Sequence, residues 1–209
     1  MFYEERNLSK GLRFGDVVSG FPITVPSVQV PLSGGQFPDI SVSVQSPRYE
    51  VVLSPCCSIG HSTLLLSPLI QIWRKWLGNP YLAEDLTRVN REMTPQQALS
   101  PEDWDKMGAE EMADRLEFGG PAFAFVELFV YEHHRLLVPY TLNWRSEARE
   151  VGQYMIDLRK IHRVDCPAVK SSEQCPLEAK VLELSIEARS QLRNKIADYF
   201  GRIPKEDEV

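Results

Sequence analysis

The chain has 209 residues, 43% of them apolar and 25% charged, with a formal net charge of -6 at neutral pH. That length and apolar content suffice for a well-cored domain, and the charged fraction is that of an ordinary globular chain, which argues against general disorder. The acidic balance argues against a broad, nonspecific nucleic-acid surface, and no stretch reaches the ~18 apolar residues of a membrane span.

The opening segment, MFYEERNLSKGLRF, is charged and lacks a continuous apolar core, so no secretory leader is expected. The four cysteines therefore read as free thiols or metal ligands rather than disulfides, and the protein as cytoplasmic and soluble. Residues 11–66 read as strands punctuated by Gly11, Gly15, Gly20 and prolines. ISVSVQS alternates: Ile40, Val42 and Val44 point one way and Ser41, Ser43 and Gln45 the other, which predicts a half-buried strand with a polar outer face. YEVVLS reads as a shorter, more buried strand, and STLLLSPLIQIW as another in which Pro68 marks an edge, a bulge or an end.

From Arg74 helix formers take over. Ser100 as cap, Pro101 at the first helical position and Glu102 and Asp103 behind it make a helix start, and Gly119 and Gly120 make a stop. Strands return at PAFAFVELFVYEHHRLLVPYTLN, where residues 122–131 and 136–138 suggest a hairpin, and GQYMIDLRKIHRV alternates loosely. LSIEARSQLRNKIADYFGR predicts an amphipathic helix: Ser185 caps it, Ala188, Leu192, Ile196 and Tyr199 or Phe200 line one stripe, Gly201 ends it, and Arg189, Arg193 and Lys195 face outward. The order predicts one mainly β domain with helices: a small, curved β-barrel with strands over 11–73 and 120–165, an inserted helical arm at 74–118 and a C-terminal helix at 184–201.

GDVV (15–18), YEVVLSPCCSI (49–59) and TLLLSPLIQI (63–72) together resemble the MazF/PemK-like SH3-type barrels, over roughly residues 14–72, with 151–164 as a further strand. The resemblance implies a small toxin of a toxin–antitoxin pair, often dimeric, that cleaves RNA with an arginine near its first hairpin and a serine or threonine. The chain departs from that pattern: between Gly20 and Gln45 it has no arginine or lysine, and Asp39 is the only charged residue. Metal-free cleavage needs a cation on the scissile phosphate. A ribonuclease on this chain would therefore turn to Arg48, or to Arg159 and Arg163 in the basic stretch that also holds Lys160 and His162.

SPCCSIGHS (54–62) places two cysteines near a histidine, and Cys166 and Cys175 flank a polar loop. Cys57, His61, Cys166 and Cys175 would supply four tetrahedral ligands to zinc if that loop folds back on the turn. The alternatives are that Cys56 or Cys57 is a small buried apolar residue, or that Cys57 is a nucleophile with His61, His133 or His134 as base and Asp157 or Glu132 as orienting acid. Trp73, Trp76, Tyr81 and Trp104 read as anchors for short helices, and the acidic set from Glu102 to Asp114 as solvated helix surface.

No Walker loop, dinucleotide fingerprint, HExxH or nucleophile elbow is present. The leading expectation is a binding or regulatory module that recognises a macromolecular partner, most simply a protein, with RNA at the basic patch and a homodimer as further readings. The alternatives are the toxin-like ribonuclease and a zinc-stapled structural protein. A binding module should present a continuous exposed apolar patch, and an enzyme a concave site holding a base and a cation.

Overall fold

The computed structural model describes residues 1–4, 11–29, 39–59, 63–73, 89–90, 106–117, 125–144, 147–165 and 180–201. In chain order the strands are β1 (Tyr3–Glu4), β2 (Val17–Val18), β3 (Ile23–Gln29), β4 (Asp39–Gln45), β5 (Glu50–Val52), β6 (Thr63–Pro68), β7 (Ile70–Gln71), β8 (Leu128–Tyr131), β9 (Tyr140–Trp144), β10 (Glu147–Val151), β11 (Tyr154–Asp157), β12 (His162–Asp165) and β13 (Lys180–Leu184). The helices are α1 (Cys56–Ile59), α2 (Ala109–Glu117) and α3 (Ile186–Phe200). The chain divides into two compact units: Glu5–Leu69 with Ile161–Glu183, and Met1–Glu4 with Ile70–Lys160 and Leu184–Val209.

In the first unit the strands hydrogen-bond in the order β13-β2-β5-β6-β12, each neighbour antiparallel. β-branched residues dominate its buried middle: Val17 and Val18 lie opposite Val51 and Glu50, and Val52 lies opposite Leu66. Leu12, Val18, Phe21, Val52, Ile59, Leu64 and Leu66 close one face as a core, with Val164 against it. A tight turn leads into β2. Gly15 takes φ 85°, a left-handed conformation that glycine adopts without steric cost, and its N–H donates to Val52 O at 2.7 Å.

Among the described residues β12 does not pair with β13, so this row of strands does not close on itself. This corrects the expected SH3-like barrel. β3 and β4, which would have been barrel wall, pair only with each other among the described residues, in unbroken register from Ile23 opposite Gln45 to Gln29 opposite Asp39. Every residue of β4 is exposed, so Ile40, Val42 and Val44 cover no core, contrary to the half-buried strand expected.

The second unit is mixed. β7, β11 and β8 form a three-stranded antiparallel sheet, and β9 and β10 a hairpin. Its core joins Ile72, Val89, Phe125, Leu128, Val130 and Met155, and Trp73 meets Phe125 edge to face. Residues 136–138 do not return as a hairpin strand; β8 pairs instead with β11. Asn90 stands in for a strand partner of β8: its Nδ2 donates to Val130 O and its Oδ1 accepts from Val130 N, both at 2.7 Å.

The C-terminal helix forms as its sequence predicts. Ser185 is extended and its side chain accepts from Ala188 N at 3.2 Å, Gly201 closes the end, and Ala188 and Leu192 are buried. Two expected outward charges are corrected: the Arg189 side chain is only 13% exposed and faces Glu4 at 3.8 Å. Lys195 is buried, with its ammonium donating to Val89 O, where the long stem crosses apolar surface and the head finds a carbonyl. Within the arm expected at 74–118, α2 carries Glu110 and Glu111 in its first turn, while the predicted start at Ser100–Asp103 lies outside the described residues.

Candidate functional site

Two features of the first unit stand out chemically: a buried set of charges and an exposed apolar ribbon. The charges are built by β2, β13 and the turn before β2. Register slips between Lys180 and Leu182, and Lys180 reaches both Asp16 and, three residues along its own strand, Glu183. Lys180 Nζ lies 2.9 Å from Asp16 Oδ2 and 2.9 Å from Glu183 Oε1, and all three side chains are fully buried. Arg13 completes the set with a guanidinium bond to Glu183, and its backbone N–H donates to Asp16 Oδ2 at 2.9 Å. Two cations thus face two carboxylates. Burial raises the Asp16 carboxyl above its ordinary value, against the opposing pull of Lys180. Paired, with Asp16, Lys180 and Glu183 closed off from solvent and Arg13 partly exposed at its edge, these groups are an internal ionic latch rather than a site a substrate could enter.

Glu50 is different. It lies opposite Val18 on one side and Pro68 on the other, fully buried, and neither carboxyl oxygen has a hydrogen-bond partner among the described residues. Burial pushes its carboxyl up to about 8, so at neutral pH it is largely protonated. The sequence carries a signal for it, a glutamate inside a strand that reads as buried. Lys180 and Glu183 have no such signal, because KVLEL has no clear period of its own.

Arg48 is exposed on the bend before β5. Arg159 forms a fork onto Asp157, with Nε and an Nη each 2.8 Å from a carboxylate oxygen. Burial opposes ionisation of Asp157, but the Arg159 hydrogen bonds and charge outweigh it and hold the carboxyl below its ordinary value. Arg163, on β12, faces Asp165 at 3.3 Å. Each arginine of the basic stretch thus has its own carboxylate, which lowers its reach for a phosphate. Arg159→Gln is expected to raise the Asp157 titration. It should lower stability by about 1 kcal/mol above the carboxylate range, a modest loss because the arginine side chain is half exposed. NMR titration and urea unfolding check this; an unchanged Asp157 titration would contradict it.

His133 is exposed, with its ring lying against Gly152, and His134 meets Tyr3 edge to face and accepts from Leu136 N at 3.2 Å. Burial, then the neighbouring Arg135 and His133 charges, lower His134 below the usual imidazole value. Of the zinc candidates, the backbone of Cys57 falls in α1, while His61, Cys166 and Cys175 lie outside the described residues. Among the described residues no group of three or more His, Cys, Asp and Glu is placed to hold a metal ion. Among the described residues, too, no helix is long and apolar enough to cross a membrane.

The ribbon is the second feature. Along one face of β3–β4, Val28 pairs with Ile40, Pro26 with Val42 and Thr24 with Val44. Val28, Ile40, Val42 and Val44 are 57%, 66%, 63% and 68% exposed. The other face carries Ser27, Gln29, Asp39, Ser41, Ser43 and Gln45 together with Val25 and the buried Ile23, so the exposed apolar residues form one stripe with a mostly polar reverse.

No family model, curated protein or solved structure matches the chain. With the sheet open and no family match, the MazF/PemK resemblance is corrected, and the toxin–antitoxin assignment falls with it.

Proposed function

We propose that this chain is a docking module whose β3–β4 ribbon receives an apolar surface of a partner protein. The observation that carries the reading is the stripe of Val28, Ile40, Val42 and Val44, each more than half exposed on a ribbon whose other residues are mostly polar. A two-stranded ribbon has no second layer to cover its apolar side and is marginal alone in water. A contiguous apolar stripe rimmed by polar residues is the kind of surface that marks a protein contact. Charge selects the class of partner. Residues 20–45 hold no lysine or arginine, so the ribbon offers no cation to a nucleic-acid backbone, and only Asp39 would have to be desolvated or pointed to water.

The test places a photo-activated cross-linking residue at Val42, and separately at Ser43 on the reverse face, in the full chain expressed in its host. The reading predicts one discrete adduct from Val42, heavier than the chain by the mass of a specific partner, and little from Ser43. Equal labelling from both faces, or a smear matching that from exposed Arg163, would overturn it.

A further inference from the structure

The edge of the same ribbon carries more information than its face. Among the described residues no strand pairs with the outer edge of either β3 or β4. The two edges differ. β3 contains Pro26, and a proline sits in a ladder with its nitrogen facing outward, where the missing N–H blunts that edge. By the alternation of antiparallel pairs, Val42 opposite Pro26 then points its own N–H and C=O outward, along with Ile40 and Val44. β4 has no proline, no lysine and no bulge, and its seven residues are all exposed. Natural edges are ordinarily guarded by one of those devices, and this one is not.

The β4 sequence also reads as its own complement. In Asp39-Ile40-Ser41-Val42-Ser43-Val44-Gln45, residues equidistant from Val42 match in kind. We propose that β4 pairs antiparallel with β4 of a second copy of this chain about a two-fold axis at Val42, joining two ribbons into one four-stranded sheet. In that register Val42 meets Val42 of the second copy, Ile40 meets Val44, Ser41 meets Ser43 and Asp39 meets Gln45. Every cross-strand pair is like with like or neutral with charged, and no like charges oppose each other. The two Asp39 carboxylates lie at opposite ends, roughly 20 Å apart at about 3.4 Å per residue, so the acidic chains do not repel at this seam. The axis stands perpendicular to the sheet, so both apolar stripes fall on the same side and double the surface. The inference rests on the docking reading for the accessibility of the ribbon, but it concerns the edge and not the face.

Sedimentation of the full chain over a wide concentration range tests it with charge exchange. The native chain is expected to show a reversible monomer–dimer equilibrium. Ser41→Lys with Ser43→Lys sets lysine against lysine at both positions, and Ser41→Glu with Ser43→Glu sets glutamate against glutamate. Each variant alone is expected to associate about tenfold more weakly or worse. Their equal mixture, in which lysine meets glutamate, is expected to recover the dimer. A native chain that stays monomeric, charged variants that dimerise like the native chain, or a mixture that fails to recover would each overturn the pairing. These substitutions lie on the reverse face. A foreign-protein adduct from Val42 that persists in the charged variants would therefore separate loss of the dimer from loss of the docking face.

Discussion

Replacing Glu50 with glutamine is expected to flatten the fall in stability that the native chain shows as pH rises. Glu50 is buried between Val18 and Pro68 with both oxygens unpartnered among the described residues, and burial pushes its carboxyl from an ordinary 4.5 up to about 8. In that window the folded chain holds a proton that the unfolded chain has released. Stability attributable to this group is therefore full below about 4.5, is lost progressively as pH rises to about 8, and is gone above it. Each tenfold difference in proton affinity between the folded and unfolded chain is worth about 1.4 kcal/mol, so the whole loss is on the order of a few kcal/mol. Glu50→Gln keeps the shape without the titrating proton, and urea unfolding at about pH 5 and about pH 9 reads the difference. The variant should match the native chain at the lower pH and exceed it at the higher. Glu50→Leu, which also removes the unpartnered polar atoms, should exceed the native chain at both. Parallel pH profiles for native chain and glutamine variant would mean the carboxyl is solvated or paired in solution.

The second large effect is at Lys180. Its ammonium is the cation shared by Asp16 and Glu183, all of them fully buried. Lys180→Met should cost about 3–5 kcal/mol, because it removes the cation between two carboxylates in a dry interior and leaves Arg13 to answer both. Adding Asp16→Asn to that variant should recover a substantial part of the loss, since Arg13 then faces one carboxylate instead of two. A double-mutant cycle by denaturant unfolding measures the coupling. Additive losses would contradict a shared latch.

The latch and the ribbon show where local pattern stops being informative. α3 is readable because its cap, stripe and stop lie within one continuous stretch: Ser185, the 188–192 spacing and Gly201 need nothing from elsewhere in the chain. Pro68 ending β6 is readable for the same reason. The expected barrel fails because closure depends on which distant segments pair. β13 inserts beside β2 across more than a hundred intervening residues, and nothing periodic in KVLEL marks it for that place. The alternation of Ile40, Val42 and Val44 marks a strand with two unlike faces, and β4 is such a strand. Periodicity cannot say whether the apolar face meets a core or water, and here it meets water. Lys195 shows the same limit from the other side. Its position on the helix is legible, but the carbonyl of Val89 that draws it inward is not.

Docking of a partner protein on the apolar face of β3–β4 is tested most directly by cross-linking from Val28. The measurement places the photo-activated residue there and compares a chain with native Ile40 and Val44 to one carrying Ile40→Asn and Val44→Asn. Docking at this face predicts a discrete adduct from the first and its loss from the second, with both chains equally folded by circular dichroism. An adduct of the same mass and yield from both would show that the contact does not depend on this face, and would contradict the proposal.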